Sequence, residues 1–217
     1  MARNLETITF DPARFRQELD AFGVLLASSH DLSETRDIQP LFKRSKQLSA
    51  YMGTFAPNIG PATELAFEFP FFGDFKADVL LGNKRASEFC VIEFEDGRRN
   101  SVFKKQPNRG NPEWSPRFEH GFSQLVDWFY NLDDFKNTKN FIKTFGDGHI
   151  RLSGLLIVGR DTGLDDAQRS RLKWRSEKIL IDSHAISCIT FDELYSALHS
   201  RFERYGAAFK LQKPKKI

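Results

Sequence analysis

The sequence is poor in the residues and motifs from which several large classes of enzyme are recognised. Only two of its 217 residues are cysteines, Cys90 and Cys188, and both lie in apolar runs, where we expect buried free thiols. Neither a disulfide framework nor a zinc site is therefore expected. The sequence also has no P-loop, no GxGxxG and no GxSxG motif, which argues against P-loop nucleotide hydrolysis, dinucleotide binding and an esterase-like serine nucleophile.

Long apolar runs are absent as well. No stretch approaches the roughly 20 apolar residues that a membrane-spanning helix needs, and the first residues, MARNLETITFD, lack the apolar segment of a signal peptide. We therefore expect a cytoplasmic protein with no membrane partner. The net charge is only +3, so a polyanionic partner has to be sought in local clusters of charge.

Apolar residues are plentiful enough for a sizeable core. They make up 40% of the chain, and the length fits one domain. Phenylalanine dominates the aromatic residues, with 22 Phe against 4 Tyr and 3 Trp, and we expect most of these rings inside. The expected organisation is an N-terminal helical segment packed on the core over residues 1–60, a core over residues 61–205 and a basic tail over residues 206–217.

The N-terminal half reads as helices followed by a β-meander. Asp11 before Pro12 is a good helix start, with Asp as N-cap and Pro in the first turn. Apolar residues then recur at helical spacing. The pattern predicts further elements in this half: a helix over residues 38–52 and strands over residues 65–72, 75–81 and 88–95, with tight connections at Gly73-Asp74 and Gly82-Asn83.

The C-terminal half alternates between helices and strands. Apolar spacing predicts an amphipathic helix from Phe118 to Leu132, and Thr190 with Glu193 forms a capping box at the start of the last helix. Between them we expect a doubly buried strand over residues 152–158, a basic helix over residues 165–178 and a strand over residues 185–189. This order predicts an α/β fold, a mixed central sheet flanked by helices.

Three acids stand where the strands of the meander should be apolar. Asp78 interrupts one strand, and Glu93 and Glu95 interrupt the next, two apart and so on one face. If the strands are neighbours, the three carboxylates converge and repel one another unless a cation lies between them. Oxygen ligands of this kind suit Mg²⁺. The alternative, acids on the solvated face of a hairpin, remains open from spacing alone.

Such a site would carry metal-assisted hydrolysis of a phosphodiester. Asp78 and Glu93 would hold one or two Mg²⁺, which would activate a water and stabilise charge on the phosphate. Glu95 would be a further ligand or the base that orients the water. Gln124 lies in the following helix, and His120 shares its face at i,i+4, although a lone histidine is more often structural.

Positive charge follows the acidic strand directly. The segment after Gly97 carries many basic residues, with Phe103 and Trp114 between them, and this mixture suits a nucleic-acid backbone. A solvated loop is the alternative, and the second basic cluster, on the helix over residues 165–178, reads mostly as solvated surface. The candidate DNA contacts are Arg98, Arg99, Lys104, Lys105 and Arg109.

Taken together, these residues resemble the PD-(D/E)XK nuclease superfamily and, within it, the nuclease domain of the Shedu anti-phage defence family. The resemblance rests on Asp78, on Glu93-Phe-Glu95 and on Gln124-Leu125. It also rests on two more specific stretches, GLLIVGR over residues 154–160 and ITFDEL over residues 189–194.

The resemblance implies a restriction-endonuclease-like fold and DNA cleavage that depends on Mg²⁺, or on Mn²⁺ in its place. It makes Asp78 and Glu93 metal ligands and gives Gln124 a function. It also marks Glu64 as the acid that some members carry ahead of the meander. The expected partners are DNA and further copies of the chain in a homo-oligomer.

One departure from the family pattern concerns position 95. The usual motif is E-x-K, and this chain has Glu95 where lysine is expected. Lys76, Lys104 or Lys105 would then supply the missing positive charge. The competing hypothesis is a catalytically inactive nucleic-acid-binding or regulatory module with the same fold.

Overall fold

A seven-stranded mixed sheet forms the centre of the molecule, in a computed structural model that describes residues 5–70, 76–104 and 111–211, with side chains described as far as residue 205. A separate two-stranded hairpin lies beside it. The strands are β1 (Glu6–Thr7), β2 (Glu64–Pro70), β3 (Lys76–Asn83), β4 (Glu88–Phe94), β5 (Phe103–Lys104), β6 (Glu113–Trp114), β7 (Arg151–Ile157), β8 (Leu180–Ile181) and β9 (His184–Ile189).

The order of strands in the large sheet is β1-β2-β3-β4-β7-β9-β8. The first four strands pair antiparallel as a meander. Strands β4, β7 and β9 are parallel neighbours, and β8 returns antiparallel to β9. Strands β5 and β6 form the separate hairpin. The predicted α/β fold with a mixed sheet is thereby confirmed.

Helices cover both faces of the sheet. On one face the apolar core joins the sheet to α1, α2, α3 and α7, and on the other it joins the sheet to α4, α5 and α6. None of the helices within the described residues is long and apolar enough to cross a membrane. The helices are α1 (Pro12–Ser28), α2 (Gln39–Arg44), α3 (Lys46–Tyr51), α4 (Pro116–Phe135), α5 (Lys139–Phe145), α6 (Asp166–Lys178) and α7 (Phe191–Leu211).

Two helix starts follow the predicted capping chemistry. The Asp11 carboxylate accepts hydrogen bonds from the backbone N–H groups of Ala13 and Arg14 at the start of α1. At the start of α7, Thr190 and Glu193 exchange the two bonds of a capping box. Both signals are local, so the sequence alone was sufficient to read them.

The helix predicted over residues 38–52 is wrong as a single element. A short π-helix (Glu34–Ile38) leads into α2, the chain breaks from helical geometry at Ser45, and α3 follows before a 3₁₀ turn (Met52–Phe55). Ser45 has ψ near 67°, outside the helical range. Pieces of this kind can each turn an apolar side toward the sheet.

The turn predicted at Gly82-Asn83 lies later in the chain. Both residues belong to β3, and the turn occupies residues 84–87. Gly82 is needed inside the strand because a Cβ there would lie 2.2 Å from the Phe89 ring of β4. Gly73-Asp74 lies outside the described residues.

A buried arginine ties the end of β7 to α1 and α7. Arg160 is 4% exposed and forms an ion pair with Asp192 at 2.9 Å. It also donates to the carbonyl oxygens of Leu26 and Ser29 beyond the end of the apolar stripe of α1. The charged group is therefore fully partnered, as burial of a guanidinium requires.

Candidate active site

The pair of half-buried Asp78 and buried Glu93 forms the centre of the candidate site. The register of β3 on β4 pairs Val79 with Ile92, which places Asp78 opposite Glu93 one step further on. The Asp78 carboxylate accepts the Phe94 N–H at 2.9 Å, and Glu93 Oε1 accepts the Trp128 indole N–H at 2.6 Å. Both acids are thus fixed by donors from neighbouring elements.

Burial raises the pKa of both carboxyl groups. It raises the pKa of Asp78 to about 6, although the hydrogen bond from Phe94 acts the other way. The pKa of Glu93 lies well above its usual value, because of burial first and the charge of Asp78 second. The hydrogen bond between the two groups lowers the pKa of Asp78 and raises that of Glu93, so the pair holds one proton more readily than none.

Glu34 is the third acid at this point, and it comes from the N-terminal region. A β-bridge between Leu32 and Gly97 docks its segment beside the end of β4, and the Asp96 carboxylate accepts the Glu34 N–H at 3.0 Å. The Gln39 amide donates to Glu34 Oε1 at 3.1 Å and to Asp78 Oδ1 at 2.8 Å.

Glu34 is held close enough to the other acids to feel their charge. Burial raises its pKa to about 7, and the negative charge of Asp78 adds to that increase. A carboxyl that resists ionisation beside two others marks a place where positive charge would be stabilising.

Glu95 faces the same side of the sheet as Glu93 but contacts two side chains of α4. Its carboxyl lies 2.7 Å from His120 Nδ1 and accepts from Arg117 Nη1 at 3.3 Å. A Cβ at Gly121 would come within 3.0 Å of Glu95 Cγ, so the absence of a side chain there lets α4 approach closely. Glu95 is only 1% exposed, and the guanidinium of Arg117 offsets its charge.

Gln124 lies on the face of α4 from which His120 contacts Glu95 and Trp128 contacts Glu93. It stands four residues after His120 and four before Trp128, so the three share a face of the helix. Its side chain is half-buried and forms no hydrogen bond with the described residues. An amide in this position can reach toward the acids without displacing an existing partner.

Glu64 lies at the other end of the sheet. It is paired with Gly82, four residues along β3 from Asp78, or about 13 Å at the usual rise of a strand. Its carboxylate accepts the Lys84 N–H at 2.9 Å and the Thr63 hydroxyl at 2.6 Å. The structure therefore brings Glu34, not Glu64, to the candidate site.

A basic cleft of about 280 Å³ opens beside the acids. Arg98, Lys104 and Arg117 line it, together with Ser115 and Pro116 at the start of α4. Asp96 also lines the cleft and pairs with Arg98 at 3.5 Å and with Arg117 at 3.6 Å. The N-terminus of a helix favours anions because its N–H groups are unpaired and its dipole is positive there. The cleft thus offers several donors for phosphate groups.

The other basic residues predicted to contact DNA divide into two groups. Arg99 is exposed in the same turn, but its backbone packs on Gly163, where a Cβ would lie 2.5 Å from the Arg99 carbonyl oxygen. Arg99 does not line the cleft. Lys105 and Arg109 lie outside the described residues.

Comparison with known families identifies the group to which this arrangement belongs. The family model "Shedu protein SduA, C-terminal" matches residues 31–195, which is more than half of the chain. The chain belongs to the Shedu family. It is therefore a Shedu anti-phage defence protein, as the resemblance implied. No curated protein matches it significantly.

The match to the Shedu family begins before the expected core. It starts at residue 31, just ahead of Glu34, whereas the core was expected from residue 61. The division of the chain at residue 60 stays a prediction. The segment that supplies Glu34 and Gln39 is nevertheless part of the family region.

The donors in this Shedu chain fit a divalent cation through their chemistry. Within the described residues, no group of three or more His, Cys, Asp and Glu side chains is arranged to hold a metal ion. The three predicted carboxylates do not meet, because Glu95 is turned to Arg117 and His120. Asp78 and Glu93 remain as neighbouring carboxylates, with the half-buried Glu34 close by, and carboxylate oxygens are the type of donor that Mg²⁺ prefers.

Sequence reasoning missed two residues of this Shedu site and undervalued two more. Glu34 and Gln39 carry no local signal, since only the bridge to Gly97 brings them close. Arg117 was noted only as one charge of a basic segment. The sequence did contain a signal for His120, because His120 precedes Gln124 by one turn and therefore lies on the same face of α4.

Proposed function

We propose that this Shedu protein is a Mg²⁺-dependent DNA endonuclease, with Mn²⁺ able to replace Mg²⁺, that hydrolyses phosphodiester bonds in anti-phage defence. The observation that carries the proposal is the Asp78–Glu93 pair, which the Gln39 amide links to Glu34. Glu34 in turn lies 3.8 Å from Arg117, a residue that lines the basic cleft. Two acids with raised pKa values are costly to the fold, and their position beside phosphate-binding donors gives them a use.

In the proposed reaction each residue has a distinct task. Asp78 and Glu93 would hold the cation, with Glu34 close by. Mg²⁺ bound there would activate a water and stabilise charge on the phosphate. Arg98, Lys104 and the start of α4 would bind backbone phosphates and place the scissile bond.

Glu95 has a different proposed task from that of a ligand. It positions Arg117, whose guanidinium is half exposed at the cleft while Glu95 is buried. A guanidinium near the scissile phosphate would stabilise the charge that develops there. Arg117 would thus take the place of the lysine that the family pattern expects at position 95.

The same ion pair also favours a second candidate function. Because Arg117 offsets the charge of Glu95, the protein could bind nucleic acid through the cleft without hydrolysing it. A catalytically inactive nucleic-acid-binding or regulatory module is therefore the alternative. Cleavage and binding must be measured separately to decide between them.

Nicking of supercoiled plasmid, titrated with Mg²⁺ or Mn²⁺, tests the proposal. Asp78→Asn and Glu93→Gln each remove a charged oxygen donor with little change of shape. We expect each to reduce nicking by at least about 10²-fold, a typical contribution of a catalytic carboxylate. Asp127→Asn is the matched control, because Asp127 is exposed on α4, and we expect it to nick like the parent.

Binding in Ca²⁺ completes the test. The proposal expects both active-site variants to retain DNA binding while losing nicking. DNA binding by the parent with no nicking in either metal would support the inactive module instead. Parent-like nicking by both variants would show that Asp78 and Glu93 are not the site.

A further inference from the structure

A second cleft lies on the other side of the β5–β6 hairpin. It encloses about 250 Å³ and is almost entirely apolar, lined by Trp114, Arg171, Trp174, Arg175 and Ile179. Trp174 is 60% exposed, and its ring stacks on none of the described aromatic side chains. A large exposed indole beside an open apolar cleft needs an explanation, because such side chains are usually covered.

Aromatic rings and guanidinium groups alternate in the walls of this cleft. Trp114 stacks on Phe103 with ring centres 4.4 Å apart and on Phe118 at 4.5 Å, so the exposed Trp174 is the ring that a base would stack on. Arg171 lies over the Trp114 ring at 5.3 Å and Arg175 at 4.8 Å. Arrays of flat rings and cations are the surfaces on which nucleobases stack.

The polar groups around the cleft leave positive charge available. Arg171 donates to the Pro112 carbonyl at 2.7 Å and has no carboxylate partner among the described residues. Arg175 pairs with Glu119, yet its buried Nε has no hydrogen-bond partner in the described part of the chain. Lys178 of α6 is exposed nearby, whereas Lys173 pairs with Glu177 at 3.8 Å. This charge favours an anionic occupant over an apolar peptide.

The hairpin connects the aromatic cleft to the basic cleft. Phe103 pairs with Trp114, and Lys104 pairs with Glu113. Because neighbouring side chains of a strand point to opposite faces, Phe103 points to the aromatic cleft and Lys104 to the basic one. A polynucleotide held at Lys104 therefore needs to pass only one thin hairpin to reach Trp174.

We propose that the cleft between Trp114 and Trp174 binds an unpaired nucleobase, so that the protein engages DNA with a single-stranded stretch. The cleft is smaller than the roughly 300–1,000 Å³ of sites for drug-sized ligands, which fits one base. The inference rests on the proposed nucleic-acid function for its choice of partner. It goes further by adding recognition of unpaired bases to the binding of duplex phosphates.

Fluorescence anisotropy with labelled 12-nucleotide oligothymidine in EDTA tests this site without cleavage. The full chain is compared with Trp174→Ala and Trp174→Phe. We expect Trp174→Ala to weaken binding by at least about fivefold, because stacking on an aromatic side chain contributes that much per base. Trp174→Phe should restore most of the affinity.

An abasic strand of the same length serves as the ligand control, since it keeps the phosphates and lacks the bases. The parent and Trp174→Ala should bind it equally. Tyr130→Ala is the protein control, since Tyr130 is 70% exposed on α4, and it should change nothing. Equal weakening of both strands by Trp174→Ala, or no weakening of either, would overturn the proposal, as would failure of the parent to bind oligothymidine.

The result is separable from that of the plasmid assay. If Trp174→Ala binds oligothymidine like the parent and the parent still nicks plasmid, the stacking site is wrong and the proposed nuclease function stands. If Trp174→Ala weakens oligothymidine binding and the parent does not nick plasmid, the stacking site stands and only the catalytic proposal is wrong. Trp174 touches none of the acids, so its variants do not disturb the candidate active site.

Discussion

Glu95 illustrates how one side chain can be repurposed by its partners. A free carboxylate beside Glu93 would add to the negative charge at the cation site. Glu95 is instead ion-paired to Arg117 at 3.3 Å, and its other oxygen lies 2.7 Å from His120 Nδ1. The pairing with Arg117 offsets its charge and places a guanidinium at the mouth of the cleft.

Glu95→Gln should reduce nicking by about 10²-fold, because a neutral amide no longer fixes Arg117. Arg117→Ala should produce a similar loss, and the double variant should be no worse than either single one, since both remove the same interaction. Single-turnover nicking of plasmid measures all three. Additive losses would mean that Glu95 acts independently of Arg117, and full activity of Glu95→Gln would make it structural.

Glu95→Lys would restore the residue that the family pattern expects. It would not restore the usual site, because the new ammonium group would face Arg117 and His120. Like charges in contact are destabilising. The contact between Glu95 and Arg117 therefore suits glutamate, and not lysine, at position 95.

At the scale of elements, the hairpin and the start of α4 are held together as one unit, which the proposed function uses to bind phosphate. The Ser115 hydroxyl caps α4 by accepting the Phe118 N–H, and it also donates to the Ser101 carbonyl. The cap therefore fixes the helix start against the turn that carries Arg98. Phosphate donors from two elements are held in a single cleft.

Replacing Arg98 and Lys104 with alanine should weaken binding to unrelated duplexes alike. Backbone contacts carry no sequence information, and each lost phosphate contact should flatten the plot of log K against log salt by about 0.9. Anisotropy between low and moderate salt, in Ca²⁺, measures the slope. Lys139→Ala with Lys143→Ala is the charge-matched control on α5, which packs near the opposite end of β4. An unchanged slope in the cleft variant would place the duplex elsewhere.

The elements also show which features can be read from sequence. The caps at Asp11 and Thr190 depend on residues three apart or less, and the structure confirms both. Gly82 was misread as a turn because the ring that requires it, Phe89, lies on the next strand. Glu34 was invisible, since its hydrogen bond to Asp96 joins residues 62 apart. Local residue patterns were thus sufficient to predict where helices begin. The residues of the candidate site could not be predicted in this way, because long-range packing brings them together.

At the scale of the whole molecule, the acids couple stability to pH. Folding raises the pKa of Glu34 to about 7 and that of Asp78 to about 6, and it raises that of Glu93 as well. A carboxyl with a raised pKa keeps its proton in the folded state when the unfolded chain has already lost it. Stability is then greatest at low pH and falls as the pH rises through the folded values.

In EDTA, the melting temperature should therefore fall between pH 5 and pH 8, apart from changes at other groups. Asp78→Asn isolates this contribution, because it removes one of the repelling charges, and its melting temperature should fall less over the same range. Asp127→Asn should follow the parent.

Adding Mg²⁺ at pH 8 should raise the melting temperature of the parent more than that of Asp78→Asn, since a ligand stabilises only the state that binds it. Differential scanning calorimetry measures each of these shifts. If the melting temperature of Asp78→Asn falls as steeply with pH as that of the parent, residues other than Asp78 cause the loss of stability.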